Sequence, residues 1–383
     1  MASSLDDNHR TSMKLIHDGK FAKLLPFMPR VSTVTLSDGW SSEMVNEFPL
    51  VIDKVVAMNP ILTGRVMKNG KGVFVKMAAF RVAEHSFGNV HDFVGKTPSV
   101  EGMTKAELLD FVENNINTFI AEKCRNTIGS SKSLNVGVEI KHGLPLFEAN
   151  LFRLDQSTCA YHISMSHAVG DAATYYMLID QIACLLNGND VNHRINWDNE
   201  ILTSHELHAP NLNEKDIKRA RWSLFGIILK SITGGKRKSN YIFLDPKAID
   251  QKKIEMVGSE NKYLSSNDVI IAAICRISNK SNKAVLTTMD MRSRKQNILT
   301  TDGGNALSQF AMPIHQGKNP NIVRQSIDKM HYYPPGKTRL SPIIRGNYVP
   351  TSNWSSVSPA ISLVPTRMSL RDSHFLHRSL THS

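Results

Sequence analysis

The chain has 383 residues, 41% hydrophobic and 21% charged, the composition of a folded chain of two or three domains at about 150 residues each, not of a disordered one. Its 46 Lys and Arg against 34 Asp and Glu leave a charge of +12, which favours an anionic partner (nucleic acid, a membrane surface or a phosphate-bearing small molecule) without choosing among them. Four scattered cysteines, Cys124, Cys159, Cys184 and Cys275, form no C-x-x-C, and no apolar run reaches about 18 residues, so a zinc knuckle, a disulfide framework, a secretory leader and a membrane span are excluded and a reduced cytoplasmic protein is expected.

Strand-like and helix-like segments alternate, which predicts a mixed α/β fold. From Ser42 to Asn59, Met44, Val45, Phe48, Val51, Ile52, Val55 and Val56 recur at helical spacing; Pro49 either kinks this helix or begins it, and Pro60 ends it. Gly72 to Phe80 reads as a strand, with Gly70-Lys71-Gly72 as a turn and no phosphate loop around it. Lys105 to Cys124 reads as an amphipathic helix. Pro145 to Leu154 and Cys159 to Ser166 are two extended segments a hairpin length apart.

The stretch from Tyr161 to Gly188 is the most informative. A strand, in which His162, Ser164 and Ser166 alternate with Ile163 and Met165, runs into His167. A short turn with Gly170 follows, Asp171 sits at an N-cap position, and a helix carries Tyr175, Leu178, Ile179, Ile182 and Leu185 until Gly188 stops it. The imidazole is thus held at a strand end beside a helix start. His-x-x-x-Asp alone is weak: in a chain with 15 histidines chance supplies about 0.7 copies, and on spacing alone a core histidine beside a capping aspartate fits as well.

Residues 205–240 are basic at both ends around the apolar stretch Trp222 to Leu229, and read as a connection between domains. Beyond them, Tyr241 to Leu244 is strand-like, Ser266 to Ile277 is a helix capped by Ser266 or Asn267, and Ala284 to Asp290 is a strand. The expected division is an N-terminal domain over 1–204, a crossover over 205–240, a C-terminal domain over 241–356 that is incomplete, and a disordered or aberrant tail over 357–383. His205 and His208 lack a third ligand, no metal is expected, and no nucleic-acid module is recognisable.

Several of these segments together resemble the plant BAHD acyl-CoA-dependent acyltransferases, within the wider group of chloramphenicol acetyltransferase and peptide-synthetase condensation domains. The likeness rests on His167-x-x-x-Asp171, Pro60-Ile61-Leu62-Thr63-Gly64-Arg65, Pro145-Leu146-Phe147 with Leu151-Phe152-Arg153-Leu154, Ser266-Asn267-Asp268-Val269, Asp290-x-Arg292-x-Arg294 with Gly304-Asn305-Ala306, and Ser352-Asn353-Trp354, in the family's order over about residues 35 to 356. Ala172 stands where the motif has glycine, and the D-F-G-W-G segment and the closing strands are missing, so the chain reads as C-terminally shortened.

The resemblance implies a two-domain chloramphenicol-acetyltransferase-like α/β fold, mixed sheets flanked by helices, with the active site at the domain seam. It implies acyl transfer from an acyl-CoA co-substrate to an alcohol or amine, without a permanently bound cofactor, by a monomer. His167 would be the general base, and Asp171 a structural partner of Arg292, with Arg294 as second choice. Trp354 and Ser352 would be oxyanion donors, Gly170 would support the turn, and Lys236, Arg237 and Lys238 would meet the CoA phosphates. Two alternatives remain: condensation with carrier-bound donors, against which Ser166 stands where such domains place a second histidine, and a degenerate member without catalysis.

Overall fold

The structure, a computed structural model, describes residues 12–14, 30–69, 72–76, 87–94, 105–128, 136–191, 193–197, 245–258, 263–278, 284–292, 298–329 and 348–352. In chain order these hold β1 (Ser12–Lys14), β2 (Val31–Ser37), α1 (Ser42–Met58), a 3-10 turn (Pro60–Thr63), β3 (Arg65–Asn69), β4 (Gly72–Lys76), β5 (Gly88–Asp92), α2 (Lys105–Ile128), α3 (Val136–His142), β6 (Phe147–Arg153), β7 (Cys159–Met165) and α4 (Ala172–Leu186). The second part holds α5 (Pro246–Met256), α6 (Ser266–Ile277), β8 (Ala284–Asp290), β9 (Leu307–Pro313), α7 (Ile314–Gly317), α8 (Pro320–Asp328) and β10 (Tyr348–Ser352).

The first part is organised around a four-stranded sheet in the order β2-β7-β6-β5. β7 is antiparallel to both neighbours, while β5 runs parallel to β6. Every residue of β7 is buried, because helices cover both faces of the sheet. On one face Tyr161, Ile163 and Met165 pack with Phe48, Ile52 and Val55 of α1 and with Tyr175, Leu178 and Ile182 of α4. On the other, Phe152, Leu154 and Ala160 lie with Val112 and Ile116 of α2. Each such large apolar side chain contributes roughly 1.5–3 kcal/mol by burial, so the strand that leads into His167 is firmly anchored.

Helix α1 begins at the Ser41 cap, whose hydroxyl accepts from Met44 N at 3.2 Å, and runs through Pro49 without restarting. Proline inside a helix costs about 3 kcal/mol; the six buried side chains of Val45, Phe48, Val51, Ile52, Val55 and Val56 outweigh it. At the other end Asn59 caps the helix, and its side chain ties three segments together: Nδ2 donates to Val55 O and to Gln181 Oε1, both at 2.7 Å, and Oδ1 accepts from Trp197 Nε1 at 3.0 Å.

The second part has the sheet β10-β8-β9, with β8 antiparallel to β9 and parallel to β10. Ile271, Cys275, Val285, Met289, Met312, Val323 and Ile327 form its core. Helix α6 is capped by Ser265, one residue before the expected Ser266 or Asn267. The reason is Asp268: its carboxylate accepts from Ser265 N at 2.7 Å while Ser265 Oγ accepts from Asp268 N at 3.2 Å, a capping box that closes only in this register. Helix α2 also runs past the expected Cys124 to Ile128. The β3–β4 hairpin pairs Asn69 with Gly72, but residues 70–71 and 77–80 lie outside the described residues, as do the 205–240 connection, the strand read at Tyr241 to Leu244, His205, His208 and the 357–383 tail. No described helix is long and apolar enough to cross a membrane.

The two parts are joined beside α4. Asn196 forms a β-bridge with Asp302, in which Asn196 N donates to Thr301 O at 2.9 Å and Gly303 N donates to Asn196 O at 2.8 Å. Asn196 Nδ2 adds a bond to Asp302 Oδ1 at 2.8 Å.

Candidate active site

Beyond Met165 the chain leaves the sheet through a tight turn. Ser166 N still donates to Leu146 O at 2.6 Å, and Val169 N folds back onto Ser166 O at 3.0 Å. His167 is the first residue inside that turn, partly buried, and directed to the seam between the two parts of the chain. Gly170 is required by contact: a Cβ there would lie 2.7 Å from Thr174 Cγ2. Asp171 then caps α4, its Oδ1 accepting from Thr174 N at 3.0 Å.

Asp171 is fully buried, and the group opposite its other oxygen comes from the second part of the chain. Arg292, two residues past the end of β8, uses all five of its N–H donors. Nη1 donates to Asp171 Oδ2 and to Asp290 Oδ1, both at 3.0 Å; Nη2 donates to Thr174 Oγ1 and Gly304 O, both at 2.9 Å; Nε donates to Asp302 O at 2.7 Å. Ala306 N completes the shell with a 2.8 Å bond to Asp171 Oδ2. A planar guanidinium suits such a site where an ammonium with three donors does not. Burial pushes the Asp290 carboxyl up, with Arg292 pulling against it and Asp171 adding repulsion. Removing one partner of a buried pair costs about 3–5 kcal/mol, so the histidine turn is fixed across the seam.

His167 itself is clasped by Asn305. Asn305 Nδ2 donates to His167 O at 2.9 Å, and Asn305 Oδ1 lies 3.0 Å from His167 Nδ1. A backbone carbonyl only accepts, so the amide nitrogen must face it and the amide oxygen must face the ring. Nδ1 therefore carries the proton, and in the neutral imidazole Nε2 keeps its lone pair. Burial lowers the His167 pKa, opposed by its own carbonyl oxygen, by Asp171 and by Asn305. The arrangement holds the imidazole in one orientation, and burial favours its neutral form.

The structure thus brings His167, Gly170, Asp171 and Arg292 together. Ser352 closes β10 opposite Thr288 of β8; Trp354, Arg294, Lys236, Arg237 and Lys238 lie outside the described residues. Asn305, Thr174, Gly304 and Ala306 had no assigned role in the sequence reading; the Gly304-Asn305-Ala306 block was the signal for three of them, and Thr174 had none. Among the described residues no group of three or more His, Cys, Asp or Glu is placed to hold a metal ion.

No family model matches the sequence, and no curated protein does. Solved structures are similar in fold. F. graminearum TRI101, in its complex with coenzyme A and T-2 mycotoxin, superposes with a TM-score of 0.55 at 14% identity, over 93% of this chain and 88% of that one. The first condensation domain of the calcium-dependent antibiotic synthetase, bound to a substrate analogue, gives a TM-score of 0.55 at 12% identity, over 90% of this chain and 80% of that one.

Proposed function

We propose that this chain, which has the two-domain chloramphenicol-acetyltransferase-like fold, moves an acyl group from an acyl-CoA thioester to an alcohol or amine, with His167 as general base. The observation that carries the reading is the Asn305 clasp, which leaves Nε2 of a desolvated imidazole as the free acceptor at the seam. The coenzyme A bound by TRI101, a protein of the same fold, supports a CoA donor, and so does the charge of +12.

In the proposed step Nε2 takes the proton of the acceptor hydroxyl or amine as that atom attacks the thioester carbonyl. The new C–O or C–N bond forms, the tetrahedral oxyanion collapses, and the C–S bond breaks. The imidazolium returns its proton to the departing thiolate, so His167 ends neutral and no acyl-enzyme is formed. Asp171 and Arg292 position the turn and do not exchange protons. Trp354 and Ser352 remain the proposed oxyanion donors, and Lys236, Arg237 and Lys238 the proposed phosphate contacts. Trichothecene-like acceptors enter only by analogy with the T-2 mycotoxin bound to TRI101.

A second reading, condensation with a carrier-bound donor, is favoured by the equal likeness to the antibiotic-synthetase domain. Release of CoA thiol from acyl-CoA in the presence of an acceptor panel tests the first reading. His167→Ala should lower turnover by about 10²–10⁴-fold. Equal rates for native and variant protein would overturn His167 as base; turnover only with a pantetheinyl carrier would select the second reading.

A further inference from the structure

His167 is tied on its far side by a buried ion pair that the proposed chemistry does not use. Arg30, just ahead of β2, and Glu139, in the middle of α3, are both buried, and Arg30 Nε lies 3.1 Å from Glu139 Oε1. Arg30 Nη2 also donates to Pro145 O at 2.8 Å, at the entry to β6. The second carboxylate oxygen of Glu139 accepts from the hydroxyl of Ser166, which is itself fully buried. Ser166 Oγ in turn accepts from Ala168 N at 3.2 Å.

A serine hydroxyl carries one hydrogen and rotates freely unless something holds it. Here Glu139 takes that hydrogen, so a lone pair is turned towards Ala168 N–H. The residues on either side of His167, Ser166 and Ala168, are thereby stapled to each other and to a buried carboxylate. Burial raises the Glu139 pKa, and Arg30 and then Ser166 lower it. Burying two charges is costly and is weak evidence for stability alone. The loop from Ser166 to Asp171 is instead held at both ends by the same device, Arg30–Glu139 through Ser166 at the start and Arg292–Asp171 at the finish.

We propose that Glu139, held by Arg30 and acting through Ser166, is a positioning residue for His167. The role rests on the proposed function only in that His167 is the reacting base; the clamp is a matter of geometry. A carboxylate in α3 fixes the hydroxyl, the hydroxyl fixes the turn, and the turn fixes the carbonyl and ring that Asn305 reads from the opposite side.

The test compares native protein with Ser166→Ala, Glu139→Gln and Asp268→Asn, each labelled with ¹⁵N-histidine, with the His167 ring signals assigned by their loss in His167→Ala. Asp268→Asn disrupts another buried carboxylate, paired with Arg324 at 3.7 Å in the second part of the chain, and supplies the destabilised control. Native His167 is expected to show two well-separated ring nitrogens, one protonated and one not. Ser166→Ala and Glu139→Gln should draw them together towards the average of a freely exchanging imidazole; Asp268→Asn should not. Ser166→Ala, which removes only a hydroxyl, decides the matter where Glu139→Gln fails to fold. Ring signals unchanged in Ser166→Ala, or shifted equally in Asp268→Asn, overturn the clamp. In the thiol-release assay Ser166→Ala should lower kcat by about ten- to a hundredfold with KM for acyl-CoA unchanged. The ring signals need no substrate, so a native protein that turns nothing over yet shows the Ser166→Ala shift overturns the acyl-transfer reading and leaves the clamp standing.

Discussion

A base acts only while it is unprotonated, and at His167 burial pushes the imidazole below its ordinary value while its own carbonyl, Asp171 and Asn305 pull it back. Acid therefore silences the site by protonating Nε2. The expected kcat/KM rises with pH along one limb centred below about 6.5 and is level through neutrality. Asn305→Asp puts a carboxylate beside Nδ1, which favours the imidazolium, so the limb should move to higher pH; a profile with an unmoved limb would sink the placement of Asn305 against the ring. At this scale the sequence was partly legible. Asp171 and Arg292 were paired through the resemblance, and a charged couple has a signature. Asn305 was visible only as part of the Gly304-Asn305-Ala306 block and received no role, because a neutral amide 138 residues from its partner leaves no local pattern. Glu139 was missed for a related reason: it sits in a seven-residue helix whose sequence, Val136–His142, gives no cue that one of its charges is wholly buried.

Elements with a clear period were read well. The apolar spacing of α1, the β6–β7 hairpin and the β-rich run of β8 all lie where the pattern puts them. What the pattern does not give is the burial of polar residues. His162 and Ser164 alternate with Ile163 and Met165, which by itself describes a strand with one wet face; α2 packs on that side at Ala160, and both residues are buried. The approach to β9 carried motif residues but no period to give its path, since Gly304 and Ala306 are held by Asp171 and Thr174 across the seam. Gly304 shows what it demands. Its φ of 112° lies where side chains are strained, and its carbonyl receives Asp171 N at 3.2 Å, Arg292 Nη2 at 2.9 Å and Thr174 Oγ1 at 2.8 Å. Gly304→Ala should cost about 1–3 kcal/mol in chemical denaturation, and it should lower turnover as well, because the same loop delivers Asn305 to His167. A variant as stable and as active as the native protein would mean that the loop adapts and does not set the ring.

Across the whole molecule, the site exists only because two separately cored parts share one polar junction. His167, Asp171 and Thr174 come from the first; Arg292, Gly304, Asn305 and Ala306 come from the second; Asn196 and Asp302 knit the flank. A ligand that spans such a seam stabilises the folded state by its binding free energy, and at about 100 times its dissociation constant that amounts to roughly 2.7 kcal/mol. CoA should therefore raise the melting temperature of the native protein, and the rise should shrink at high salt if phosphate contacts to basic side chains carry it. His167→Ala should keep the shift, since the imidazole is assigned to the acyl transfer and not to holding the nucleotide. Replacing Lys236, Arg237 and Lys238 together by Gln should reduce it while leaving the melt without CoA in place. A native melt indifferent to millimolar CoA would remove CoA as donor and turn attention to carrier-bound thioesters; a shift that survives the triple replacement would keep the donor and move its phosphate site elsewhere on the chain.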